Sequence, residues 1–130
     1  MRIECTYEVS MTGGWSPDEL RALLCGARRI VLVAHTNADG DAVGSLTGLY
    51  AVLRDVTTAK VVPMLPDGCP EDLTWLPNTT SIVDCQRNAT YAKQLVSEAD
   101  LVIATDLNGF DRTGAMSKDF MVSNARKILI

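Results

Sequence analysis

The sequence predicts an α/β fold, a parallel β-sheet flanked by helices on both faces. Two apolar runs, Ile30-Val-Leu-Val-Ala34 and Leu101-Val-Ile-Ala-Thr105, have the unbroken hydrophobicity of strands buried on both sides. Such runs alternate with helical patterns, which is the rhythm of β–α–β units. The two most polar glycine-containing loops, 35–41 and 106–114, each follow one of these runs. Folds of this class bind ligands beyond the carboxyl ends of their strands.

Taken in chain order, residues 1–14 are weakly patterned, end in Gly13-Gly14 and read as a loose arm, with Met11 as an alternative start. The domain then covers 15–130. Ser16-Pro17-Asp18-Glu19 opens a helix: Ser16 caps, Pro17 suits the first turn, and Glu19 completes a capping box. Gly26 can stop this helix after about Cys25. The strand 30–34 and its polar loop lead into a helix expected over Ala42–Leu53. Lys60–Met64 is a second strand, placed at an edge by Pro63. A turn-rich stretch from Pro66 to Pro70 precedes a short helix near 71–76. Ser81–Val83 is a short strand, Thr90–Glu98 a helix and Leu101–Thr105 a buried strand. A helix is expected near 115–123, and Lys127–Ile130 begins another strand.

With 130 residues the chain can form one domain with a single core. Hydrophobic residues at 47% and charged residues at 22% fit an ordinary globular protein. The net charge of −4 argues against long DNA or RNA, which require a basic face. A small phosphorylated substrate remains compatible, because bound cations can supply positive charge locally. Cys5, Cys25, Cys69 and Cys85 lack the spacing of a zinc ribbon or disulfide framework, so reduced structural thiols are expected. No secretion signal and no apolar run of roughly 18 residues is visible, so neither a membrane partner nor a secreted location is expected, and a cytoplasmic one is. The acceptor triplets at Asn78 and Asn88 carry no weight in that setting. Trp15, Trp75 and Tyr91 are scattered, which suits packing or surface roles better than base stacking.

The loop His35-Thr-Asn-Ala-Asp39-Gly-Asp41 packs one imidazole and two carboxylates into seven residues. Gly40 would permit a tight turn that brings Asp39 and Asp41 together. An imidazole with carboxylates suits borderline divalent metals such as manganese, with zinc, iron or cobalt as alternatives. Two acidic groups held close repel one another, and a cation gives a reason for the pair. Plainer readings stay open: Asp41 as the N-cap of a helix starting at Ala42, His35 as a hydrogen-bonded strand-end histidine, Asp-Gly as an ordinary turn. Gly44 and Gly48 would let the following helix lie close to the sheet.

His35-Thr-Asn-Ala-Asp-Gly-Asp-Ala-Val-Gly-Ser45 resembles the first motif of the DHH phosphoesterases. Asp106-Leu-Asn-Gly-Phe-Asp-Arg112-Thr-Gly114 resembles their second motif, an aspartate after a buried strand followed by Arg and Gly. The resemblance implies that His35 and Asp39 bind a first metal, Asp41 a second, and that Asp106 bridges them. It implies two manganese ions in the complete enzyme, with magnesium or cobalt as alternatives. Hydrolysis would proceed with an activated water attacking phosphorus while the cations neutralise phosphate oxygens. Arg112, Asn37 and Ser45 would contact the substrate, with Arg112 alternatively orienting its loop.

Asp39-Gly-Asp41-Ala42 differs from the Asp-Thr-Asp-Ser usual in the manganese inorganic pyrophosphatases of this fold. The ending Arg112-Thr-Gly114 is similar to the nanoRNase/pAp-phosphatase branch, which acts on very short oligoribonucleotides and on 3′-phosphoadenosine 5′-phosphate (pAp). Cyclic dinucleotide or pyrophosphate hydrolysis is the alternative within the fold, and a non-catalytic metal- or nucleotide-binding module the alternative outside enzymes. A homodimer is compatible with the resemblance. The Asp-His-His motif, a further aspartate and the smaller substrate-binding domain of the family do not occur, and His35 is the only histidine. The expectation is therefore an amino-terminal part of the catalytic domain, with weak binding of one cation and little or no hydrolysis.

Overall fold

The computed structural model describes residues 16–130. The expected arm over 1–14, with Cys5 and Met11, and also Trp15 lie outside the described residues. Helix α1 is Pro17–Gly26, and its entrance is the expected capping box: Ser16 accepts from the Glu19 backbone N–H while Glu19 accepts from the Ser16 N–H. Strand β1 (Arg29–Val33), helix α2 (Gly40–Val56) and strand β2 (Lys60–Leu65) follow. Strand β3 (Val83–Asp84), helix α3 (Ala89–Glu98), strand β4 (Leu101–Ala104), helix α4 (Ser117–Val122) and strand β5 (Arg126–Leu129) complete the order.

The five strands form one sheet in the order β3-β2-β1-β4-β5, and every neighbouring pair is parallel. The α/β expectation holds, with helices on both faces. Alternation along the central strands explains how. Ile30, Leu32, Leu101 and Ile103 face a core built with Leu23 and Leu24 of α1 and Ala42, Val43 and Leu46 of α2. Val31, Val33, Val102 and Ala104 face the opposite core, with Ala92 and Val96 of α3 and Phe120 of α4. Because both strand faces are covered, the buried stretches Ile30–Val33 and Leu101–Ala104 carry no polar residue. Each fully buried branched or aromatic side chain contributes about 1.5–3 kcal/mol.

Several boundaries differ from the sequence reading. Helix α2 begins at Gly40 rather than Ala42 and reaches Val56. Strand β2 is not an edge strand, since it lies between β1 and β3. Pro63 is tolerated because β3 pairs only with Met64 and Leu65, leaving Pro63 paired with Leu32 of β1 alone. The helix expected near 71–76 is a single 3-10 turn, Glu71–Leu73, followed by another at Thr79–Ser81. The expected strand at 81–83 is displaced to Val83–Asp84. The helix expected near 115–123 is a kinked 3-10 segment, Phe110–Met116, running into α4. Phe110 and Phe120 stack with ring centroids 5.5 Å apart, which fastens this segment to the sheet. Gly44 and Gly48 do not serve close packing. Both are exposed, and a Cβ at either would meet open space.

Gly114 does serve a close approach. Its φ of 59° and ψ of −128° lie where side chains are strained, and a Cβ there would come within 2.8 Å of Thr36 Cγ2. The two polar loops meet at this point. Gly114→Ala is expected to lower stability by about 1–3 kcal/mol in urea unfolding. Pairing it with Thr36→Ser should recover only part of the loss, because the strained φ remains; full recovery would show that the clash alone matters. Cys85 gives a second check. Its thiol is buried and pushed up to about 12, chiefly by burial and then by the charges of Asp84, Asp119 and Asp67. The thiol stays protonated in the fold while the unfolded chain ionises near 9.0, so this contribution is full below that pH and fades as pH rises from 9 toward 12. Iodoacetamide labelling of Cys85 should therefore track global unfolding, and labelling in the native state at the unfolded rate would contradict this.

Candidate functional site

The order in which strands are added reverses between β1 and β4. The path runs outward from β1 to β2 and β3, then returns to place β4 on the other side of β1. Loops leaving β1 and β4 lie side by side at this switch point, the position at which α/β sheets bind ligands, and touch at Thr36 and Gly114. These are the loops that carry His35 and Asp106.

His35 is only 8% exposed. Its Nδ1 lies 2.6 Å from the Thr36 carbonyl oxygen, which can only accept, so Nδ1 carries the proton. That leaves Nε2 aimed at two carboxylates, 3.4 Å from Asp106 Oδ2 and 4.0 Å from Asp39 Oδ1. One ligand atom from each of His35, Asp39 and Asp106 lies within 4.8 Å of the others. Three electron-pair donors converging on one point repel unless a cation lies among them. The donor set, one imidazole and two carboxylates, fits a borderline divalent metal. The hydrogen bond on Nδ1 is the kind of support that orients a metal-binding imidazole.

Asp39 has a second task. It is the N-cap of α2, accepting from the Ala42 backbone N–H at 2.9 Å. The capping reading belongs to this residue and not to Asp41, because the helix starts two residues earlier than expected. The cap fixes the carboxylate toward His35. The turn preceding it is made by Asn37, whose φ is 51°, and not by Gly40, which is already helical. Asparagine adopts this left-handed conformation more readily than most residues. Asp106 also has a positive φ, 55°, and its N–H donates to the Ile130 carbonyl at 3.2 Å.

Asp41 is exposed in the first turn of α2 and is not part of the converging group. Arg112 is exposed, while its backbone carbonyl accepts from the Thr36 N–H at 3.0 Å, so it ties the two loops through the main chain. Ser45 is exposed on α2 and lines a cavity of about 310 Å³ with Leu49, Thr105, Asp106 and Ile130. The Thr105 hydroxyl, buried there, has no hydrogen-bond partner among the described residues. Asp67 was not legible as a site residue. Its Oδ2 accepts from the Asn37 N–H at 2.9 Å, across 30 residues of chain. The only signal was the turn Pro66-Asp67-Gly68 at the carboxyl end of β2, beside the end of β1. A cavity of about 350 Å³ opens next to this contact, walled by Thr36, Pro66, Asp67, Gln86, Lys93 and Met116 among others. A larger cavity, about 460 Å³, lies at the other end of the sheet, around Asp100 and Arg126 where β4 and β5 begin, away from these groups. Trp75 and Tyr91 are exposed and widely separated along the chain, as their scatter suggested. Among the described residues no helix is long and apolar enough to cross a membrane.

Comparison with known proteins places this geometry in a family. Residues 29–120 match the model of the DHH family, N-terminal domain. No curated protein sequence matches the chain. Among solved structures, an exopolyphosphatase-related protein from Bacteroides fragilis is similar, with 34% sequence identity and a TM-score of 0.82. The match covers 87% of this chain and 33% of that one, so the chain spans about a third of that protein's length. The chain belongs to the DHH family, a family of metal-dependent phosphoesterases that hydrolyse phosphate esters or anhydrides.

Proposed function

We propose that the chain supplies cation ligands and substrate contacts of a two-metal phosphoesterase acting on short oligoribonucleotides or pAp, in the manner of the nanoRNase/pAp-phosphatase branch. The observation that carries the reading is the convergence of His35 Nε2 with the Asp39 and Asp106 carboxylates. His35 and Asp39 would hold a first Mn2+, Asp41 a second, and Asp106 both; Mg2+ or Co2+ would serve in the same donors. When bound, such cations stabilise charge on phosphate oxygens and activate water. The remaining work falls to the protein. The cap on Ala42 keeps the Asp39 carboxylate oriented, and the Thr36 carbonyl keeps the His35 proton on Nδ1. The 17-residue helix α2 points its amino end toward the site and favours anionic groups there. Arg112 would meet a substrate phosphate, and Asn37 and Ser45 would meet neighbouring polar groups of the substrate.

The acidic surface and the modest cavity beside Thr36 and Asp67 support a short substrate over a polymer. A second reading, cleavage of phosphoanhydrides, draws support from the description of the Bacteroides protein as exopolyphosphatase-related. We place the protein in the cytoplasm, in keeping with the unbridged thiols of Cys69 and Cys85.

Calorimetric titration of the 130-residue chain with Mn2+ should give one weak site that is lost in Asp39→Ala. Two tight sites, or an unchanged isotherm in the variant, would contradict the assignment. The same chain should turn over pAp and dinucleotides slowly or not at all. The natural gene product carrying this sequence should hydrolyse pAp or a dinucleotide in preference to cyclic di-AMP, pyrophosphate and polyphosphate. Preference for an anhydride would replace the first reading with the second, and binding without any turnover would point to a non-catalytic module.

A further inference from the structure

We infer that Asp67 is a positioning residue of the cation site: by accepting from the Asn37 N–H it holds the turn that sets Asp39 opposite His35. The inference rests on the cation-binding reading of His35, Asp39 and Asp106. His35 and Asp39 are separated by three residues of non-helical loop, and their side chains meet only because the chain reverses between them. The reversal occurs at Asn37, a residue other than glycine with φ 51°. Such a conformation persists where its surroundings over-determine it.

Two contacts from outside the loop do so. The Thr36 N–H donates to the Arg112 carbonyl at 3.0 Å, and the Asn37 N–H donates to Asp67 Oδ2 at 2.9 Å. The second has a charged acceptor, which makes it the stronger kind. Asp67 is itself braced. It sits in the turn Leu65–Gly68, closed by the Gly68 N–H on the Leu65 carbonyl at 3.3 Å, with Pro66 at the position that fixes φ. Gly68 has φ 83°, and a Cβ there would overlap the Asp84 carboxylate of β3. Because Leu65 and Asp84 are register partners in the sheet, the turn carrying Asp67 is anchored to the β2–β3 ladder. Asp67 thus links the sheet's outer strands to the loop that holds His35 and Asp39. Its carboxylate is not one of the three converging ligands, so it acts through the backbone and not on the cation.

Asp67→Ala and Asp67→Ser remove the acceptor, whereas Asp67→Asn keeps an oxygen able to accept from Asn37 and removes the charge. In the metal-free protein, amide exchange at Asn37, followed by NMR, should speed up at least about tenfold in the Ala and Ser variants with unchanged melting temperature. Mn2+ affinity, measured by water-proton relaxation, should fall about tenfold in the same two variants, the low end for partners that support metal ligands. Asp67→Asn should restore both readouts to within about threefold of wild type. Unchanged Asn37 exchange or unchanged affinity in Asp67→Ala, with wild type binding Mn2+, overturns this inference alone. A loss of affinity in Asp67→Asn equal to that in Asp67→Ala would assign the effect to charge and overturn it as well. Failure of the wild type to bind Mn2+ sinks the cation-site reading and this inference with it.

Discussion

Two adjacent backbone N–H groups, those of Thr36 and Asn37, hold the site in shape. Both lie in the loop that leaves β1, where no neighbouring strand can satisfy them, and each is captured from a different part of the chain. The Arg112 carbonyl takes the first and the Asp67 carboxylate takes the second. Thr36 is half-buried, so its N–H left without a partner would cost about 1–3 kcal/mol, while the exposed Asn37 N–H is held by a charged acceptor. Everything chemical follows from that fixation. Asn37 can occupy a left-handed turn, Asp39 can cap α2, and the side chains of His35 and Asp39 can face one another. Gly114 belongs to the same constraint, since only a residue without a Cβ lets the second loop come close enough to offer the Arg112 carbonyl.

The electrostatics of the site are a consequence of this geometry. His35 is oriented from behind by the Thr36 carbonyl, which turns the lone pair of Nε2 toward Asp39 and Asp106. Without a positive charge among them, these three groups would push apart. The protein has invested in the opposite arrangement, with a helix cap spent on one carboxylate and a strained backbone on the other. A cation makes that investment intelligible, and the sheet's switch point supplies the crevice in which a phosphate could reach it.

Much of the fold was legible because its signals are local. Buried parallel strands read as unbroken apolar runs, and Ser16 with Glu19 marked the start of α1 without any tertiary information. Pro63 misled because its tolerance depends on how far β3 extends, a property of a different segment. Gly40, Gly44 and Gly48 misled for a related reason: a glycine's spacing does not reveal whether anything lies opposite it. His35, Asp39 and Asp106 were visible as a cluster of chemical types, yet the contacts that support them were not. Asp67 lies 30 residues from Asn37 and resembles any turn aspartate until the loop from β1 is folded against it. The unpartnered hydroxyl of Thr105 was equally invisible, being an ordinary strand-end threonine in sequence.

The central claim is that one imidazole nitrogen and two carboxylates converge on a single cation. His35 is the only histidine in the sequence, which makes the claim directly measurable. Pulsed electron paramagnetic resonance of the untagged protein with Mn2+ bound, prepared with 15N-histidine, should show hyperfine coupling to one imidazole nitrogen, and Asp106→Ala should abolish or strongly reduce it. Saturating Mn2+ with no nitrogen coupling would contradict the account, because the cation would then lie elsewhere on the acidic surface.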